Sequence, residues 1–117
     1  MEGSARLNVA DYYANVQIET APIRRAICML HEKCVLFISN AIDFPDKKQE
    51  FVTKAQNIIT QLIMSLKIED EVSKSLYILY EYCYALLEHS SKEELINAGN
   101  IMAILRDTFN YLNKRPR

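Results

Sequence analysis

Glycine and proline are scarce in this sequence, which has two glycines and three prolines among 117 residues. β-Sandwiches and doubly wound α/β domains of this length need many more turn-forming residues, so the shortage favours helices. The two glycines, Gly3 and Gly99, are also too few for a glycine-rich phosphate-binding loop. The length suits one domain with one core, and we expect residues 1–19 to form an N-terminal arm and 20–114 the folded bundle.

An excess of charge of either sign is also missing. Lysine and arginine number 14, aspartate and glutamate number 15, and the difference gives a net charge of −1. Domains that bind nucleic acids usually carry a strong basic field, so we expect no nucleic-acid partner. The sequence contains no apolar run of about 18 residues and no N-terminal pattern of a secretory signal. It therefore predicts no membrane span and a cytoplasmic location.

The sequence has no paired metal-binding motif. Three cysteines are present, Cys28, Cys34 and Cys83. Because their number is odd and none forms a C-x-x-C pair, we expect buried free thiols rather than disulfides or a zinc site. His31-Glu32 begins like the H-E-x-x-H motif of zinc proteases, but Val35 stands where the second histidine is needed. The sequence predicts no metal site, no cofactor and no catalytic residues.

One enzyme hypothesis stays open, because His31 and Cys34 lie three residues apart on one face of a predicted helix. A nucleophilic cysteine needs a lowered pKa and a third, orienting group. Cys34 is better interpreted as a small core residue and His31 as a partly exposed helix residue. We therefore expect a protein that is not an enzyme.

Four amphipathic segments of about 20 residues each lie between the breaks in the sequence. They are predicted as helices over 22–42, 47–66, 70–88 and 92–113. Pro22 suits the first turn of the first helix because that position needs no backbone donor. Asp46 with Gln49, and Ser91 with Glu94, match the reciprocal capping pattern at the starts of the second and fourth helices. Four such helices with short links predict an all-α, antiparallel up-down four-helix bundle.

Residues 8–19 precede the predicted bundle and contain several apolar side chains, among them Tyr13 and Ile18. The segment is too short to be a stable helix alone, and too apolar to be an idle tail. We expect a short N-terminal cap segment that lies against the bundle as an arm.

The third predicted helix carries more apolar surface than one core-facing stripe requires. Between Leu76 and Leu87, only Glu81 is charged. The core stripe would be Leu76, Leu79, Tyr80, Cys83 and Leu87. The residues left over on other faces are Tyr77, Ile78, Tyr82 and Tyr84. This pattern is typical either of the most central helix or of a binding surface, and both hold if the arm is displaceable.

Five motifs occur in order between Tyr12 and Asn113. They are Gln17-Ile-Glu-Thr-Ala21, Ile27-Cys-Met-Leu-His-Glu32, Lys54-Ala-Gln-Asn-Ile-Ile59, Leu76-Tyr-Ile-Leu-Tyr-Glu-Tyr82 and Leu105-Arg-Asp-Thr-Phe109. Together with Tyr13, seven residues before Thr20, they resemble the flagellar export chaperone family, FliS, over nearly the whole chain. The chain departs from that family's pattern where His31 replaces Tyr, Lys33 replaces Gly and Phe109 replaces Trp.

The resemblance implies an antiparallel four-helix bundle with an N-terminal cap segment. It implies a chaperone that binds the disordered C-terminal region of flagellin, prevents premature polymerisation and delivers flagellin to the export gate for type III secretion, without a cofactor. On this reading Tyr13 and Ile18 belong to the displaceable arm, and Tyr77, Tyr80 and Tyr84 line the groove for the partner. The free protein would be a monomer or a weak homodimer. The alternative is a non-flagellar scaffold bundle that binds a partner helix through the same groove.

Overall fold

A computed structural model describes the backbone of residues 9–114 and the side chains of residues 24–114. Four α-helices account for most of this range. They are α1 (Val9–Asp43), α2 (Lys48–Met64), α3 (Glu71–His89) and α4 (Lys92–Lys114). A single 3₁₀ turn, Pro45–Lys47, links α1 to α2. No strand occurs within residues 9–114.

The helices pack as a four-helix bundle, which confirms the predicted fold class. Each helix lies beside the next in the chain, and α4 closes the ring against α1. The diagonal pair α1 and α3 makes little backbone contact. The links are too short for a crossover along the bundle, so successive helices run in opposite directions.

The first helix begins at Val9 rather than at Pro22, so the predicted start of this helix is wrong. Proline removes one backbone hydrogen bond from a helix interior but does not always end the helix. Residues 9–21 would form a marginal helix alone, but here they extend a helix that is already nucleated. The predicted contact between the arm and the bundle involves side chains outside the described range, so it stays a prediction.

The capping predictions have mixed outcomes. The Ser91–Glu94 box at the start of α4 is confirmed, since the Glu94 amide donates to Ser91 Oγ at 3.1 Å and the Ser91 amide to Glu94 Oε1 at 3.3 Å. The predicted Asp46–Gln49 box is wrong, because Asp46 lies inside the 3₁₀ turn and the residue before α2 makes no side-chain cap.

An unpredicted capping box starts α3. The Ser73 amide donates to Asp70 Oδ1 at 2.8 Å, and the Asp70 amide donates to Ser73 Oγ at 3.2 Å. Serine replaces the usual glutamate or glutamine at the third helical position, which is why the sequence pattern did not reveal it. The box fixes the residue at which α3 begins.

The core runs along the inside of the bundle and is built from the inner stripe of each helix. On α4 the apolar residues at heptad-like spacing face the core: Leu95, Ala98, Met102, Leu105 and Phe109 are buried, and Leu112 is partly buried against them. All three cysteines are buried and none forms a disulfide. Among the described helices, none combines the length and apolar character needed to cross a membrane.

Candidate binding surface on the third helix

Helix α3 exposes large apolar side chains on the outside of the bundle. Ile78 is 65 % exposed and Tyr82 is 52 % exposed, and Leu79 beside them is also exposed. These residues are one helical turn or less apart, so they form one continuous strip along the helix. This outcome confirms that Ile78 and Tyr82 are surplus to the core of the bundle.

The neighbours of α3 show which flank this strip occupies. Gln56 of α2 donates its Nε2 to the Tyr84 carbonyl at 3.3 Å and to Glu88 Oε1 at 2.8 Å, so the Tyr84–Glu88 flank adjoins α2. Leu79 and Tyr82 project from the opposite flank, and that flank therefore adjoins α4.

Helix α4 contributes to the same side of the bundle. Its other flank faces α1, because Asn110 donates to Glu32 Oε2 at 3.2 Å. Ile101 and Ile104 project from the flank towards α3; Ile101 packs on the core and Ile104 is 66 % exposed. We call the set Ile78, Leu79, Tyr82, Ile101 and Ile104 the α3–α4 apolar surface.

Uncharged polar positions extend the α3–α4 apolar surface along both helices. Ser75 continues it along α3, and Asn97 and Thr108 continue it along α4. Exposed charged side chains lie within one helical turn on its outer side, at Lys74, Glu81 and Asp107. Exposed apolar strips with a polar border are typical of sites that bind other proteins.

The tyrosines predicted to line a groove divide between two environments. Tyr77 and Tyr84 lie together on the flank towards α2, where Tyr84 is 38 % exposed and Tyr77 is half-buried. A hydrogen bond to Glu81, together with the negative charge of that carboxylate, raises the pKa of the Tyr77 hydroxyl. This flank is therefore more polar than the α3–α4 apolar surface.

Tyr80 lies in the core, which corrects its placement in a surface groove. It is 2 % exposed, and its hydroxyl lies 2.9 Å from Nε2 of His31. A partner could reach it only if the bundle opened. Its spacing on α3 explains the burial, because Leu76, Tyr80 and Leu87 share the inward face.

His31 is also fully buried, so the expectation of a partly exposed histidine is wrong. Its Nδ1 lies 2.9 Å from the Ile27 carbonyl, and its ring stacks on Phe109 with centroids 4.7 Å apart. Burial lowers the pKa of His31 from 6.5 to about 4, although the hydrogen bond to the Ile27 carbonyl acts in the opposite direction and raises it. The imidazole is neutral near pH 7.

The geometry gives the His31–Cys34 pair no catalytic arrangement. Cys34 is buried and directs its thiol to the Ala55 carbonyl on α2, at 3.8 Å, while the His31 ring nitrogens bond elsewhere. Burial, with a smaller effect of Cys83, raises the pKa of the Cys34 thiol far above neutrality. A buried, protonated thiol is a poor nucleophile. Within the part of the chain whose side chains are described, no group of three or more acidic, histidine or cysteine residues could hold a metal ion.

Sequence similarity identifies the family of this chain. The family described as "Flagellar protein FliS" matches residues 6–116. The chain belongs to the FliS family of flagellar proteins. The "Flagellar secretion chaperone FliS" of Bacillus subtilis (strain 168) is 35 % identical over 80 residues, covering 64 % of this chain and 60 % of that protein. The match thus spans less than two thirds of the Bacillus protein.

His31 and Phe109 meet in the core of this chain. Their rings stack on each other with ring planes 17° apart, and this contact packs α1 against α4. The exposed strip of α3 lies on the outside of the bundle.

Two of the predicted partner residues, Tyr13 and Ile18, lie outside the residues whose side chains are described. Sequence reasoning missed Leu79 and Ile104 as members of an exposed surface. The spacing of Leu79 fits the inner stripe of α3 about as well as that of Leu86, but in the structure Leu86 is buried and Leu79 is exposed. Ile104 could have been found, because α4 carries apolar residues at 101 and 104 beyond its core stripe.

Proposed function

We propose that this protein is a flagellar export chaperone that binds the disordered C-terminal region of flagellin. Binding would prevent flagellin from polymerising prematurely and would help deliver it for type III secretion. Membership of the FliS family and the similarity to the flagellar secretion chaperone of Bacillus subtilis support this assignment. The observation that carries it for this chain is the exposed, uncharged α3–α4 apolar surface on a bundle without catalytic geometry in its described part.

The physical requirements of such a client match this surface. A segment that is disordered when free loses conformational entropy when it binds, so it must bury a large apolar area in compensation. An amphipathic helix in a groove between two helices is a common solution. Ile78, Tyr82 and Ile104 offer that area and present no charge that an apolar client would have to desolvate.

The remaining partner residues enter the proposal with different roles. Tyr77 and Tyr84 would form a second contact, on the flank towards α2. Tyr80 would support α3 from the core rather than touch the client. Tyr13 and Ile18 would belong to an N-terminal segment that covers apolar surface until flagellin displaces it.

The proposal places the protein in the cytoplasm, with flagellin and the flagellar export gate as its partners. The free protein would be a monomer or a weak homodimer, since the same apolar surface could pair with a second copy at high concentration. The alternative, a scaffold bundle for another partner helix, uses the same surface. The two differ in the client that binds.

Calorimetric titration of this protein with the C-terminal region of flagellin from the same genome tests the assignment. We expect one-site binding with a negative heat-capacity change, because apolar surface is buried. No detectable heat at high micromolar concentration, for a chaperone shown to be folded by circular dichroism, would contradict flagellin as the client. It would leave the scaffold alternative.

Surface variants test where flagellin binds. We expect Tyr82→Ser and Ile78→Ser each to weaken binding by about tenfold, as is usual for central apolar contacts. Leu36→Ser is the matched control, because Leu36 is a similarly exposed apolar residue on α1, diagonally across the bundle. If Leu36→Ser weakens binding as much as Tyr82→Ser, the α3–α4 apolar surface is not the site. Tyr84→Ser measures the contribution of the other flank.

A further inference from the structure

The imidazole of His31 joins three helices inside the bundle. Its Nδ1 lies 2.9 Å from the Ile27 carbonyl of its own helix, and its Nε2 lies 2.9 Å from the Tyr80 hydroxyl of α3. The ring also stacks on Phe109 of α4. His31 and Tyr80 thus connect α1 to α3 across the diagonal of the bundle, where the helix backbones make little contact.

The partners of the ring determine the direction of each hydrogen bond. A backbone carbonyl oxygen can only accept, so Nδ1 of His31 carries the proton and donates to Ile27. In the neutral ring Nε2 is then the acceptor, and the Tyr80 hydroxyl donates to it. The position of the Tyr80 oxygen is consequently restricted to the direction of one lone pair in the imidazole plane.

The rest of the inward face of α3 offers no comparable restriction. Leu76, Cys83 and Leu87 are buried among apolar contacts, which are not directional and tolerate small sliding or rotation of a helix. Ser73 is the other buried polar residue of α3, and its hydroxyl belongs to the capping box with Asp70. Gln56 contacts α3 near its C-terminal end, one turn beyond Tyr80.

We propose that the His31–Tyr80 hydrogen bond fixes the register and rotation of α3 relative to α1, so that the α3–α4 apolar surface has one defined position. Buried polar contacts of this kind set helix register in coiled coils, while apolar replacements of the same volume keep the fold. The two polar groups therefore contribute specificity of arrangement more than stability. This role does not depend on which partner the surface binds.

The double variant His31→Leu/Tyr80→Phe tests the proposal. It removes both polar groups and approximately conserves volume, so we expect a folded bundle with a urea midpoint near that of the parent. The amide signals of α3 in a ¹H–¹⁵N correlation spectrum should broaden or double, while those of α2 stay single. Single, sharp α3 signals in this folded variant would overturn the proposal.

The single variant Tyr80→Phe provides a second, independent readout. It leaves Nε2 of His31 buried without its donor, so we expect the unfolding equilibrium constant to rise about tenfold or more. Hydrogen exchange should accelerate more for α3 than for α2, whereas equal acceleration in all helices would count against a specific effect on α3.

Cys83→Ala is the matched control for loss of packing on the same helix. It shortens a fully buried side chain of α3 without touching the His31–Tyr80 pair. We expect lower stability from the small cavity and no doubling of α3 signals. If this control doubles the signals as the double variant does, register depends on packing and the proposal is wrong.

Discussion

At the scale of single residues, His31 is the most unusual side chain of the described core. It is ionisable, fully buried and packed against the rings of Tyr80 and Phe109, with no carboxylate among its hydrogen-bond partners. The sequence shows only a histidine on a helix, and histidine is intermediate between typically buried and typically exposed residues, so its type alone does not predict burial. Burial here follows from the position of residue 31 on the inner stripe of α1, together with two hydrogen bonds that satisfy both ring nitrogens.

The buried His31 should make stability depend on pH. Its pKa is about 4 in the folded chain and 6.5 when unperturbed, so the unfolded chain takes up the proton first as pH falls. The contribution of the neutral, buried His31 to the free energy of unfolding is up to about 3 kcal/mol. It is fully present above pH 6.5 and is lost as the pH falls from 6.5 to 4. Urea unfolding at pH values from 7.5 to 4 measures it.

The variant His31→Leu separates this effect from the titration of other groups. All other ionisable groups are the same in both proteins, so their contribution to the pH dependence cancels in the difference between the two stability profiles. We expect the parent to lose stability more steeply than His31→Leu below pH 6.5. Parallel profiles would show that His31 has no lowered pKa in the folded state.

At the scale of helices, the ends were harder to predict than the interiors. The inner stripe of α4 could be read from spacing alone, because core positions repeat with the helix period. The start of α1 could not be predicted in this way, because proline is compatible both with the first turn of a helix and with a longer helix that lacks one hydrogen bond. The capping box of α3 pairs Asp70 with Ser73 and lacks the usual glutamate or glutamine, so no strong sequence pattern reveals it.

The C-terminal end of α3 carries a conformation that serine adopts at a cost. Ser90 has φ of 54° and ψ of 27°, in the left-handed region, where residues with a Cβ are disfavoured by roughly 1 kcal/mol. Lys48 Nζ donates to the Ser90 carbonyl at 3.1 Å, a contact that uses only the backbone of residue 90. We therefore expect Ser90→Gly to stabilise the protein by about 1 kcal/mol, measured by urea unfolding.

Ser65 offers a matched control at the end of α2. It is also a serine directly after a helix, but its φ is −82°, in the right-handed region, and its hydroxyl donates to the Leu62 carbonyl at 2.7 Å. Glycine relieves no backbone strain at residue 65 and increases the conformational freedom of the unfolded chain. We therefore expect Ser65→Gly to lower the free energy of unfolding. Equal and same-signed effects of the two variants would contradict the explanation from backbone conformation.

At the scale of the whole molecule, the fold class and family could be predicted from the sequence, but the binding surface only in part. Helix periodicity identified the surplus residues Ile78 and Tyr82 on α3. It also separated Tyr80, which is buried, from Tyr84, which is 38 % exposed, whereas the family resemblance placed both in one groove although they lie only about 40° apart around the helix. Ile104 was missed because its role depends on α3 lying beside it.

The buried thiols report whether the bundle opens as one unit. Cys34 of α1 and Cys83 of α3 are fully buried, and burial raises the pKa of Cys83 to about 12. Thiol reagents attack the thiolate, so both should react only through opening of the bundle.

Cys28 lies nearer the start of the described core and is slightly exposed. Labelling followed by mass spectrometry at increasing urea should show Cys28 reacting first, then Cys34 and Cys83 together, with the urea dependence of global unfolding. If Cys83 reacts well before Cys34, α3 separates from the bundle on its own, and the unit that opens to a partner would be that helix rather than the whole molecule.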